Sequence, residues 1–140
     1  MLLRNQRANQ QDQEKKLLVS KWLKYCDISF KNYIEVFTDE LNSLDDRINL
    51  FKKAKNIVCE LGAGMHNLLY CKEGVNIIVM YQKNNISWLE EYYPLFRYKK
   101  MNVKIIAGET TSPKHNGNWL NTPWKLDIHD LESVLFKLKS

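Results

Sequence analysis

The stretch Asn56-Ile-Val-Cys-Glu-Leu-Gly-Ala-Gly-Met-His-Asn-Leu-Leu-Tyr70 decides the fold. It begins with an apolar run typical of a buried strand, passes two glycines, and ends in a segment typical of a short helix. In such a strand–turn–helix unit, backbone N–H groups and the positive end of the helix lie where an anion can bind. Gly62 and Gly64 are also compatible with a sharp turn that binds nothing. The segment therefore predicts an α/β unit with a candidate anion site.

Apolar patterns on both sides of this stretch predict alternating strands and helices. Strands are predicted at residues 32–37, 57–59, 76–81 and 103–107, and helices at 9–25, from Ser43 through Ala54, 64–71, 86–96 and 128–139. The second helix begins at Ser43 with Asp46 three residues later, and the fourth is expected to end near Pro94. The alternation predicts a single α/β domain over residues 1–140, with three layers and a parallel sheet of about four strands.

The segment 109–126 is predicted to be the longest loop, and long loops often carry function. It contains Trp119 and Trp124, which either stack on a ligand or pack against the core.

The bulk composition excludes several classes of protein. The chain has 140 residues and a formal net charge of +5, and its lysine pairs are spread over separate elements, which does not predict a nucleic-acid partner. No apolar run approaches the roughly 18 residues of a membrane span, and the first residues lack a signal-peptide pattern. Three cysteines without metal-binding spacing indicate reduced thiols. We therefore expect a cytoplasmic protein, held at a membrane only through another segment or partner.

Few side chains point to catalysis. His66, His115 and His129 are too dispersed for a metal site, and no nucleophile has an evident partner, so no metal, cofactor or catalytic residue is predicted. His66 is expected either to contact a phosphate or to be an ordinary surface histidine. Glu60 is expected to face a cleft or to cap a neighbouring backbone group.

The glycine segment has two alternative interpretations. Glu60-Leu-Gly-Ala-Gly64 resembles the first motif of S-adenosylmethionine-dependent methyltransferases. That motif's third glycine is His66 here, and Tyr81 and Gln82 stand where an acid should end the next strand. The other alternative is a non-catalytic interaction module that keeps a Rossmann-like fold without a ligand.

A larger set of residues resembles the C-terminal half of family 61 glycosyltransferases, the group that includes capsular-polysaccharide-type enzymes. The resemblance covers about residues 1–107 and departs from the family at Leu61 (a histidine in the family) and at Glu73 (a proline in the family). It rests on the segments Ile48–Ala54, 56–58, Gly62–Tyr70, Glu73-Gly74 and 77–79.

This resemblance implies a Rossmann-like, nucleotide-sugar-binding domain that forms one half of a GT-B-type fold. The implied reaction moves a sugar from a nucleotide-sugar donor to a glycan hydroxyl in polysaccharide biosynthesis, with inversion and without a metal. The implied donor-binding residues are Gly62, Ala63, Gly64, Met65, His66 and Asn67 in the glycine segment, with Arg4 and Arg7 facing the donor phosphates. The acceptor site and the base lie outside the resemblance, so we expect a truncated chain that is inactive alone: a gene fragment, a split subunit that a partner chain completes, or a degenerate relative.

Overall fold

A computed structural model describes residues 1–4, 34–37, 41–111 and 122–139 of the chain. The strands are β1 Leu2–Arg4, β2 Glu35–Phe37, β3 Asn56–Glu60, β4 Asn76–Gln82, β5 Asn102–Thr110 and β6 Trp124–Lys125. The α-helices are α1 Leu44–Lys53, α2 Ile86–Glu90, α3 Tyr93–Tyr98 and α4 Ile128–Lys139, and two 3₁₀ helices span Ala63–Tyr70 and Lys83–Asn85. The predicted helix at 9–25 lies outside the described residues.

The strands form one mostly parallel sheet in the order β2-β1-β3-β4-β5-β6. Strands β1 to β5 are mutually parallel where they pair, and β6 joins β5 in the antiparallel direction. The α/β class and the parallel pairing are confirmed. The expected number of about four strands omitted β1 and β6, because runs of three and two residues are too short to show a periodic pattern.

The two faces of the sheet bury separate core clusters. Alternating residues of β3 and β4, such as Ile57 and Ile77, pack with Phe51 of α1 and with the 3₁₀ helix that follows β3. The intervening residue Ile78 packs instead with Leu131 and Leu135 of α4. Because neighbouring side chains on a strand point to opposite faces, this division places α1 and α4 on opposite sides of the sheet.

Two predicted helices differ from expectation. The segment predicted as a helix at 64–71 is the 3₁₀ helix Ala63–Tyr70, here called the turn helix. The segment predicted as one helix at 86–96 is two short helices, and Pro94 lies in the first turn of α3 rather than at a helix end. Proline is tolerated there because the first N–H groups of a helix have no intrahelical acceptor.

Three asparagines fix the register at the amino ends of the central strands. Asn56, Asn76 and Asn102 stand opposite one another as the first residues of β3, β4 and β5. The Asn76 side-chain amide donates to the Asn56 side chain at 2.8 Å, and the Asn102 amide donates to the Asn76 side chain at 3.1 Å. Pairing at one end of parallel strands places their carboxyl ends together at the other end, where the glycines follow β3.

Candidate functional site

The glycine turn, residues Leu61–Gly64, carries the chain from the carboxyl end of β3 into the turn helix. The Leu61 amide still donates to the Met80 carbonyl of β4 at 2.8 Å, so the turn leaves the sheet only at Gly62. Gly62 is fully extended, with φ 173° and ψ 177°. The Met65 amide then donates to the Gly62 carbonyl at 3.0 Å and closes the first 3₁₀ turn. Within the described residues, no hydrogen bond uses the amides of Gly62 or Ala63.

The predicted donor-binding residues of this segment divide into buried and exposed positions. Gly62, Gly64, Met65 and Asn67 are buried, whereas Ala63 and His66 are exposed. Met65 belongs to the hydrophobic core, and its side chain has no contact with solvent. A ligand approaching the turn from solvent therefore meets Ala63 and His66 first.

Asn67 holds the turn from within. Its side-chain amide donates to the Gly64 carbonyl at 3.0 Å, and the side chain is buried. A buried carboxamide that donates to a backbone carbonyl stabilises the turn in this geometry. In a different geometry the carbonyl would be buried without this hydrogen-bond donor, which costs free energy. The contact that the structure shows for Asn67 therefore lies within the turn and holds its shape.

Tyr92, between α2 and α3, reaches the glycine turn from a distant part of the chain. Its hydroxyl donates to the Gly62 carbonyl at 3.2 Å and lies 3.3 Å from Nδ1 of His66. The two rings meet edge to face, with their centroids 5.5 Å apart. Burial, and then the neighbouring Glu91 and Cys59, raises the pKa of Tyr92, so the hydroxyl keeps its proton and remains a donor. Sequence patterns give no signal for this role, because Tyr92 has the spacing of an ordinary apolar position in a helix.

His66 is held by its own helix as well as by Tyr92. Its Nδ1 lies 2.8 Å from the Ala63 carbonyl, and the residue is exposed. A carbonyl oxygen can only accept, so Nδ1 carries the proton in this contact. The second ring nitrogen, Nε2, takes no part in either contact.

Arg4 is the last residue of β1, next to the carboxyl end of β3. Leu3 pairs with Cys59, so the backbone of Arg4 lies one residue further along the same edge, beside the strand that leads into the glycine turn. Arg7 lies outside the described residues.

Other charged groups stand at this carboxyl edge. Lys83, directly after β4, forms an ion pair with Glu109 of β5. Glu60 is half-buried at the end of β3.

The two described cysteines are buried free thiols, as expected for small apolar side chains. Burial raises the pKa of Cys59 far above its usual range and, despite the opposing charge of Lys99, that of Cys71 to about 11. Both side chains therefore stay protonated near neutral pH and are poor nucleophiles.

Trp124 and the remaining histidine belong to other parts of the fold. Trp124 forms part of β6, is half-buried, and lies directly over Gly108 of β5, which favours its packing on the fold. His129 is exposed on α4 and lies 3.3 Å from the Glu132 carboxylate. Trp119 and His115 lie outside the described residues.

Within the described part of the chain, no group of three or more histidine, cysteine or acidic side chains is placed to hold a metal.

One comparison with known proteins gives a match. The family model described as Glycosyltransferase 61 matches residues 7–78, which include α1, β3, the glycine turn and the turn helix. No significant match was found among curated proteins or among solved structures. In the described ranges, no helix is both long enough and apolar enough to cross a bilayer.

Proposed function

The chain belongs to the glycosyltransferase 61 family, and we propose that it forms the domain that binds the nucleotide-sugar donor. The observation that carries the proposal is the position of the family match, which runs through β3 and the glycine turn at the carboxyl edge of a parallel sheet. Ligands of open α/β sheets bind at that edge. The proposal includes a Rossmann-like fold in three layers that acts as one half of a GT-B-type pair in polysaccharide biosynthesis.

In the proposed reaction, an acceptor hydroxyl oxygen bonds to the anomeric carbon of the sugar while the bond from that carbon to the diphosphate breaks. The nucleoside diphosphate leaves with the electron pair, and the hydroxyl proton passes to a base. We place the base and the acceptor site in a separate acceptor-binding domain. The configuration of the anomeric carbon inverts, and no metal is required.

The role proposed for this domain is to bind the diphosphate and stabilise its growing charge. The amides of Gly62 and Ala63 are suited to donating hydrogen bonds to phosphate oxygens, because no acceptor within the described residues uses them. His66 at the surface of the turn, and Arg4 and Arg7, complete the proposed phosphate contacts. Gly64, Met65 and Asn67 support the turn from its buried side.

The test is calorimetric titration with UDP and GDP, beside S-adenosylhomocysteine. Ala63→Glu places a carboxylate at an exposed position of the turn. A charge about 6 Å from a phosphate, at an effective dielectric constant of about 40, costs about 1.4 kcal/mol, or a tenfold loss of affinity. Ser133→Glu is the matched control, because it adds the same charge at an exposed position of α4 on the other side of the sheet.

The outcomes separate the three interpretations. If UDP or GDP binds to the wild type, Ala63→Glu weakens that binding and Ser133→Glu leaves it unchanged, the result supports the donor site. Binding of S-adenosylhomocysteine alone favours the methyltransferase, although β4 ends with the buried pair Tyr81 and Gln82 rather than with an acid. An absence of binding to all three compounds favours an interaction module and overturns the proposal.

A further inference from the structure

We propose that Tyr92 is a positioning residue of the donor site, which fixes the glycine turn and, together with the Ala63 carbonyl, holds the proton of His66 on Nδ1 so that Nε2 faces the ligand. This inference rests on the proposed function, because it assigns Nε2 of His66 as the atom presented to the nucleoside diphosphate. Nothing in the sequence motif includes Tyr92, which is 30 residues from Gly62 along the chain.

The donors and acceptors in this cluster leave one consistent arrangement of protons. The carbonyl oxygens of Gly62 and Ala63 can only accept. The Tyr92 hydroxyl therefore donates to Gly62 at 3.2 Å, and Nδ1 of His66 donates to Ala63 at 2.8 Å. The Tyr92 oxygen, 3.3 Å from Nδ1, is then a second acceptor for the same N–H group.

This arrangement leaves Nε2 as the ring nitrogen that is available to a ligand. In the neutral ring Nε2 is an acceptor, and in the protonated ring it is a donor that suits a phosphate oxygen. Because Ala63 and His66 are both exposed and stand three residues apart in the turn helix, the two residues share one face of that helix.

Tyr92 can hold this geometry because its ring is itself fixed. The residue is 5% exposed, and its ring stacks on that of Phe96 at 6.4 Å between centroids. A side chain buried in the core loses little further freedom when its hydroxyl bonds the turn, so the contact restricts the turn rather than the tyrosine.

The matched pair of variants is Tyr92→Phe and Tyr93→Phe. Each removes one hydroxyl from neighbouring aromatic residues that both contact Phe96. Within the described residues, only the hydroxyl of Tyr92 in this pair makes a hydrogen bond to the glycine turn.

The first measurement needs no ligand. Long-range ¹H–¹⁵N correlation spectra of the neutral imidazoles report which nitrogen carries the proton, and a His66→Gln variant assigns the signal. We expect His66 to be protonated on Nδ1 in the wild type and in Tyr93→Phe. In Tyr92→Phe we expect a larger fraction protonated on Nε2, because the Nδ1–H group then keeps only the Ala63 carbonyl as its acceptor. A merely structural loss of stability, at a temperature where all variants are folded, does not change a tautomer.

The second measurement is the affinity for UDP and GDP. We expect Tyr92→Phe to weaken binding about fivefold, the equivalent of one net hydrogen bond of about 1 kcal/mol, and Tyr93→Phe to leave it unchanged. If Tyr92→Phe matches Tyr93→Phe in both tautomer and affinity, the positioning role is overturned. If the wild type binds neither nucleotide, the proposed function fails, and the tautomer measurement alone decides the role of Tyr92.

Discussion

The clearest consequence of the buried side of the glycine turn concerns Asn67. Its side-chain amide donates to the Gly64 carbonyl at 3.0 Å inside the protein. We expect Asn67→Ala to lower the free energy of unfolding by about 1–2 kcal/mol, since a net hydrogen bond contributes about 0.5–1.5 kcal/mol and a few packed atoms are also lost.

The replacement Asn67→Asp separates hydrogen bonding from packing. It keeps the shape of the side chain but presents a carboxylate oxygen, which only accepts, toward a carbonyl oxygen in a buried position. We expect it to cost about 3 kcal/mol or more at neutral pH, so the isosteric variant is less stable than the truncated one.

The stability of Asn67→Asp should also depend on pH, in a direction set by the pKa of the introduced carboxyl. Burial beside a carbonyl raises the pKa of the introduced carboxyl, and its protonated form can donate as the native amide does. At neutral pH the free energy of unfolding of Asn67→Asp should lie below that of Asn67→Ala. This difference should shrink as the pH falls from about 7 to about 5.

The assay is urea unfolding followed by circular dichroism, with Asn49→Ala as control at an exposed position of α1 that should change stability by no more than about 0.5 kcal/mol. If Asn67→Asp is more stable than Asn67→Ala at neutral pH, packing rather than the hydrogen bond dominates at this position, and the argument is refuted.

Two further predictions concern β5 and the buried thiols. Gly108→Ala would place its Cβ 2.7 Å from the Lys125 carbonyl oxygen and 2.6 Å from Cζ3 of Trp124, so we expect thermal unfolding to show a loss of about 1–3 kcal/mol. Ala107→Ser, at the exposed neighbouring position, should be nearly neutral, and an equal loss in both variants would contradict the packing argument. The raised pKa of Cys71 stabilises the fold below its unfolded value of 9.0, and that contribution is lost as the pH rises through about 11. The stability advantage of wild type over Cys71→Ala should therefore narrow by about 1–2 kcal/mol between about pH 7.5 and pH 10.5 in urea unfolding, and an unchanged gap would show that burial does not perturb this thiol.

The longer periodic segments of the sequence were sufficient to predict their structure. Apolar runs predicted β3 and β4 to within a residue or two, and Ser43 accepts the Asp46 amide at 3.0 Å at the start of α1, as its spacing indicated. The pattern of α4 predicted residues 128–139, and Leu131 and Leu135 are buried as expected. These features depend on interactions between residues only a few positions apart, so the order of residues in the sequence is enough to predict them.

Shorter elements depended on contacts that the sequence does not contain. Strand β6 exists because residues 124–125 pair with β5, and a two-residue strand has no period of its own. The division of 86–96 into two helices likewise followed no periodic signal, since Pro94 is accommodated in a first turn.

The sequence by itself determined an α/β alternation, a glycine turn after a buried strand, and a match to family 61 glycosyltransferases through that turn. Only the tertiary structure decided which face of the turn meets solvent, because that depends on what packs beneath it. Met65 and Asn67 lie inside, and Ala63 and His66 lie outside. The hydroxyl of Tyr92 joins this cluster across 30 residues of chain, since parallel strands need long crossover connections that bring distant residues to one edge of the sheet.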